Sequence, residues 1–219
     1  MQWPQITGQV GDWDIVVVGH LKWNRYFGDS SDNPPRGDPS TCTSVCVRGR
    51  DTDGQPFVLL VDPTLRATAS DYYFDLNRRT GLHAQDVTHC FVTHHHMDHH
   101  AGLAYFPDAM WLSAPTVIEA LAASGETIAE RMSPVTGEFL PGVCALPLPG
   151  HTLTLHGLAI AWRDERVVVA ADAVMTKGHY AHETTEFEAD ARLARETIRG
   201  LKDMASLIVP GHDDLIVNR

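Results

Sequence analysis

The chain has 219 residues, 43% hydrophobic and 21% charged, a balance that supports a packed globular core. Seventeen Lys and Arg against 28 Asp and Glu leave a formal net charge of −11, which opposes the broad basic footprint of a nucleic-acid binder. No apolar run approaches the ~18 residues of a membrane span, and the N-terminal MQWPQITGQVGDWD lacks the basic and apolar regions of a signal peptide.

These features predict a cytoplasmic protein with no membrane partner. Cys42, Cys46, Cys90 and Cys144 are scattered without CxxC spacing and are expected as buried core thiols. One domain, 1–219, is expected from the length.

Apolar β-branched runs predict strands at 14–21, 43–47, 57–62, 88–94, 159–162, 166–171 and 206–210. Between the first two, RYFGDSSDNPPRGDPS (25–40) is rich in Gly, Pro, Ser and Asp and reads as a long loop. A helix is predicted over 70–82, from a Ser70 cap to Gly81, and another over 115–124 with Pro115 in its first turn. The last helix is predicted over 186–204. Thr185 with Glu188 fits a capping box, and Phe187, Ala191, Ala194, Ile198 and Leu201 form one apolar stripe. Strand pairs near both ends with helices between them suggest an α/β sandwich in which helices cover stacked sheets.

The stretch FVTHHHMDHHAGL (91–103) carries the chemistry. The run Cys90-Phe91-Val92 is a buried strand leading outward, and in extended chain alternate side chains face one way. His94, His96 and Asp98 therefore converge, and His99, in the first turn of a following helix, reaches the same place. Imidazoles and a carboxylate are donors that a divalent cation such as zinc accepts. His95 and His100 have the wrong phase and are expected outside the ligand set. Elsewhere, three apolar strands end in one polar donor each: His151 in LPLPGHT, Asp172 in VVVAAD and His212 in LIVPGH. A carboxylate at the tip of a buried strand is costly unless paired or coordinated.

Taken together, THHHMDHHAGL, PGHT, the strand-end Asp172 and VPGH resemble the metallo-β-lactamase-fold hydrolases. The resemblance implies a four-layer αββα sandwich and two divalent metal ions, zinc first, with iron or manganese able to occupy similar sites. It assigns His94, His96 and His151 to one metal, Asp98, His99 and His212 to the other, and Asp172 to a bridge between them. No Ser or Cys lies in a nucleophile setting, so the expected nucleophile is a metal-bridging hydroxide, with Asp98 orienting it and carrying a proton. Asp62, Thr93 and Thr152 are candidate partners for the ligand histidines.

The expected substrate is a small molecule attacked at an ester, thioester, lactone or amide carbonyl. Asp at position 172, where true β-lactamases of the family carry Cys, points to the broader hydrolase set. Lactonases of this fold often place Tyr three residues after the bridging Asp; here Met175 stands there and Tyr180 lies further along. Lys177, His179 and Tyr180 are candidate substrate contacts. The compact layout also resembles RNA-cleaving members, which makes a phosphodiesterase or ribonuclease the alternative. A metal-binding protein without catalysis ranks below both, because structural zinc sites are closed and cysteine-rich.

Overall fold

A computed structural model describes residues 1–22, 24–26 and 40–218. Most of the predicted 25–40 loop therefore lies outside the described residues. Two six-stranded sheets face each other. The first runs, in sequential order, β1 (Asp12–Val17), β2 (Ser44–Arg50), β3 (Pro56–Val61), β4 (His89–Val92), β5 (Met110–Ser113) and β6 (Ser133–Pro134). The second contains β7 (Glu138–Leu140), β8 (Val143–Pro147), β9 (His156–Trp162), β10 (Glu165–Ala171), β11 (Leu207–Pro210) and β12 (Ile216–Val217), again in sequential order. The helices are α1 (Ala69–Thr80), α2 (Met97–His100), α3 (Pro115–Ala123), α4 (Lys177–His182) and α5 (Ala191–Met204).

Strand periodicity explains the layering. In β2 and β3, Val45, Val47, Leu59 and Val61 point into the space between the sheets, where they meet Leu158, Ile160, Val167 and Val169 from β9 and β10. Their neighbours Cys46, Val58 and Leu60 point the opposite way and are covered by Tyr72 and Leu76 of α1 and Val117 and Leu121 of α3. On the far side, Ile198, Leu201 and Met204 of α5 cover Ala159, Val168, Ala170 and Ile208. Both faces of each sheet are thus buried, which gives the αββα order of layers expected from the sequence.

The four cysteines are buried and unpaired. Among the described residues no helix is long and apolar enough to cross a membrane.

Three boundaries differ from the sequence reading. The first helix is capped by Thr68, not Ser70: Thr68 Oγ1 accepts from the Asp71 N–H at 3.3 Å, and the Asp71 carboxylate accepts from the Thr68 N–H at 2.9 Å. Gly81, at φ 74, closes that helix as expected.

The last helix begins at Ala191, capped by Asp190, which accepts from the Leu193 N–H at 2.9 Å. The predicted Thr185–Glu188 start is lost because residues 185–190 are bonded to the chain around His151 and Asp172. Thr185 Oγ1 donates to Asp172 O, Ala189 N to His151 O and Asp190 N to Gly150 O. Phe187, counted in the buried stripe, is 77% exposed.

The strands β5 to β8 and β12 were not anticipated. They are short, and most lack the β-branched run that marks the others.

Candidate metal centre

All the strands that feed this centre end at one edge of the sandwich. Strand β3 ends at Asp62, β4 at the approach to His94, β10 at Asp172, and β11 just before His212; His151 lies on the loop between β8 and β9. Strands β3 and β4 run parallel in one sheet, as do β10 and β11 in the other, so their C-terminal ends open on the same side. Non-glycine residues at positive φ mark two of these exits, Asp62 at 47° and Ala171 at 46°. Such conformations cost energy and persist where surroundings impose them.

The donors fall into two sets. One ligand atom each from His94, His96, His151 and Asp172 lies within 4.8 Å of the others, and the same holds for Asp98, His99 and His212. Asp172 spans both. Its Oδ2 is 3.3 Å from His151 Nε2 and 3.8 Å from His94 Nε2, while its Oδ1 is 3.2 Å from both His99 Nε2 and His212 Nε2. His96 Nδ1 completes the first set at 2.9 Å from His151 Nε2 and 3.1 Å from His94 Nε2. Asp98 Oδ2 completes the second at 3.7 Å from His212 Nε2 and 4.0 Å from His99 Nε2.

The expectation that His94, His96, Asp98 and His99 all meet at one place is corrected. Extended backbone ends at His96, the N-cap of α2, so Asp98 and His99 emerge on helical geometry and turn to the second set.

Second partners set the tautomers. His151 Nδ1 donates to Glu186 O at 2.9 Å and His212 Nδ1 to Thr41 O at 3.0 Å. His99 Nδ1 donates to Asp62 Oδ2 at 2.7 Å. Thr93 Oγ1 gives its proton to Asp62 Oδ2 at 2.6 Å and thus accepts from His94 Nδ1 at 3.1 Å. Each of these imidazoles consequently presents a bare Nε2 lone pair inward. Asp62 and Thr93 act as anticipated, whereas Thr152 Oγ1 is buried without a hydrogen bond. The carbonyls of Thr41 and Glu186 were missed, since a backbone acceptor carries no residue-type signal.

The cluster favours positive charge within it. Burial disfavours a charged His99, yet Cys42, Asp172, Asp62 and Asp98 around it more than reverse this and raise its pKa well above the usual value. The carboxylates carry that effect at neutral pH, because burial pushes the Cys42 thiol up to about 11. Burial likewise opposes a charged His212, but Asp172 and Asp98 raise it. For Asp172, burial pushes the pKa up, while His212 and His99 outweigh it and hold the carboxyl well below the carboxylate range. His94, surrounded by other histidines, is driven down by burial first, and His96 falls to about 4 for the same reason. His99 Nε2 and Asp172 Oδ1 are buried and make no hydrogen bond, as expected of donors built for a cation rather than for each other. The residues therefore fit divalent cations in both donor sets.

His95 and His100 belong to neither set. Lys177, His179 and Tyr180 have other partners. Lys177 is exposed, 3.8 Å from Asp213 Oδ1; buried His179 bonds Thr176 Oγ1 at 2.7 Å and Glu186 Oε1 at 3.2 Å; Tyr180 Oη donates to Asn218 Oδ1 at 2.6 Å. The cleft outside the donor sets is lined instead by Leu21, Ser40, Met97, Met175 and Phe187.

An αββα sandwich with histidine and carboxylate donors gathered at one sheet edge defines a metal-dependent hydrolase by class. The chain belongs to the metallo-beta-lactamase superfamily, whose family model matches residues 37–212. Solved structures share the fold. A Thermotoga maritima protein described as a metallo-beta-lactamase superimposes with a TM-score of 0.69 at 16% identity, over 94% of this chain and 98% of that one. The lactonase AiiA of B. thuringiensis, solved with N-decanoyl-L-homoserine at its active site, gives 0.62 at 20% identity over 90% and 89%. AidC, a dizinc quorum-quenching lactonase solved with a product, gives 0.60 at 15% identity over 74% and 68%. No curated protein matches the chain significantly by sequence.

Proposed function

We propose that the chain, as a single domain over 1–219, hydrolyses an ester, thioester, lactone or amide bond of a small molecule. Two divalent cations would be held by His94, His96 and His151 on one side and Asp98, His99 and His212 on the other, with Asp172 between them. The observation that carries this reading is the division of one buried carboxylate, Oδ2 toward His151 and His94 and Oδ1 toward His99 and His212. Bound there, such cations supply Lewis acidity for the scissile carbonyl and lower the pKa of water toward ~7. Zinc suits the donors best, and iron or manganese also accept them.

The chain's own groups do the rest. Thr41, Asp62, Thr93 and Glu186 hold the imidazoles in orientation and tautomer, so no reorganisation is needed as charge develops. Asp98, whose side chain is 23% exposed, lines the cleft beside Asp172. It is the group positioned to accept a proton from the attacking water and return it to the leaving group. The dizinc lactonase and the AiiA complex support the reaction class, since both act at a carbonyl-derived centre on a sandwich of the same fold.

The test is metal quantification combined with a panel of chromogenic esters, thioesters, lactones, β-lactams and phosphodiesters, before and after chelation. Turnover of a carbonyl substrate that vanishes with chelation and returns with zinc is expected. Turnover confined to phosphodiesters, or unaffected by complete metal removal, overturns the proposal.

A further inference from the structure

We propose that the cleft takes a neutral substrate whose hydrolysable group carries an aliphatic or aromatic chain, and that Phe187 is the side chain that selects it. This deepens the hydrolase reading above and rests on it. The cleft has a volume of about 350 Å³. At ~30 Å³ per water-sized group this admits on the order of a dozen heavy atoms.

One wall is the donor cluster. Facing it are Leu21, Met97, Met175 and Phe187. Among the described residues that line the cleft there is no Lys or Arg. Lys177, which follows Asp172 closely in sequence, is paired with Asp213. An anionic chain extending away from the reacting bond would meet no counter-charge there and would face Asp98, whereas a neutral apolar chain would bury surface against four apolar side chains.

Phe187 is the unexplained residue on that wall. It is 77% exposed, so packing does not account for it. Its φ of 52° lies in the region that L residues with large side chains avoid, so backbone preference does not account for it either. The residue before it is held firmly. Glu186 accepts from His151 Nδ1 through its carbonyl at 2.9 Å and donates its N–H to Met175 Sδ at 3.3 Å. Its carboxylate is gripped by Arg25 and bonded to His179 Nε2 at 3.2 Å. Phe187 is thus fixed at the mouth of the cleft, one residue from a carbonyl that orients a donor of the centre. An energetically unfavourable, solvent-facing aromatic in such a place is accounted for by a ligand that covers it.

The experiment compares zinc-loaded wild type, Phe187→Ala and Phe187→Lys on p-nitrophenyl acetate, hexanoate and hemisuccinate, which share one leaving group. Calorimetric binding of 2-octanone, a neutral chain with no hydrolysable bond, is measured on the same proteins with and without metal. Wild type should favour hexanoate over hemisuccinate by about tenfold or more in kcat/KM. Phe187→Ala should lower the hexanoate-to-acetate ratio roughly fivefold, chiefly through KM, and weaken 2-octanone to a similar degree. Phe187→Lys should bring hemisuccinate level with hexanoate. Equal wild-type efficiency on hexanoate and hemisuccinate, or ratios and 2-octanone affinity unchanged in variants that melt cooperatively, would overturn the proposal while leaving the hydrolase reading intact. No turnover of any ester, with 2-octanone binding still dependent on Phe187, would support the apolar cleft and overturn the hydrolase reading.

Discussion

Replacing Asp62 by Asn tests how the second donor set is built. Asp62 is 1% exposed and accepts three hydrogen bonds: Thr93 N at 2.8 Å, Thr93 Oγ1 at 2.6 Å and His99 Nδ1 at 2.7 Å. Asn has nearly the same shape and tolerates the φ of 47° found there, so the backbone is preserved. One amide oxygen continues to accept from the Thr93 N–H. The amide NH₂ then faces Thr93 Oγ1 and His99 Nδ1. To avoid donor against donor, His99 must accept at Nδ1 and place its proton on Nε2, removing the lone pair that faces Asp98 and Asp172.

A hydrogen bond to a charged group contributes ~1.5–3 kcal/mol. Loss of such an orienting partner lowers metal affinity by about 10–100-fold, or roughly 1.4–2.8 kcal/mol, in agreement with it. Competition with a chromophoric chelator reads the two equivalents separately. One should weaken by about 10–100-fold while the other, held by His94, His96 and His151, stays within a few-fold. Two equivalents bound as in wild type by a correctly folded Asp62→Asn protein would refute the tautomer argument.

Four further outcomes are expected. Asp172→Ala should lose most of one metal equivalent and nearly all turnover, by metal analysis and assay of the folded variant, and unchanged turnover would remove its bridging role. Gly211→Ala places a Cβ against Asp172 Oδ1, so turnover should fall by ~10²-fold or more with only modest loss of thermal stability; wild-type turnover would show that the carboxylate has room to move. His95→Ala should keep both metal equivalents, since His95 belongs to neither donor set, and loss of one would mean that its ring contributes.

The fourth outcome concerns acid. Burial raises the pKa of Glu138, but N–H donors from Gly142, Thr7 and Gly8 outweigh it and hold the carboxyl at about 2, against 4.5 ordinarily. A depressed folded pKa means stability that is present above pH 4.5 and is lost as pH falls toward 2. Because Glu138 is partly exposed, screening reduces the effect to about 1 kcal/mol. Acid denaturation of Glu138→Gln should flatten over that interval, and an unchanged profile would count against the clasp.

Sequence carried the fold as far as local physics reaches. Strand periodicity marked β2, β3, β4, β9, β10 and β11, and alternation within them specified two buried faces, which only a layered sandwich can satisfy. It also set the donor types, since His94, Asp172 and His212 each stand where an apolar run stops. Helix starts were legible less well. Thr68 competed with Ser70, and the periodic stripe before Ala191 was overridden by bonds to His151, Gly150 and Asp172 that no local pattern reports.

Tertiary structure alone decided how the donors divide. Strands from two sheets had to bring their ends to one edge before one aspartate could face two groups of histidines, and α2 had to begin at Met97 to turn Asp98 and His99 away from His94. The backbone acceptors at Thr41 and Glu186 and the exposed position of Phe187 depend on distant segments meeting. Side-chain chemistry is written residue by residue, whereas the distances that turn donors into a centre arise only when chain far apart in sequence packs together.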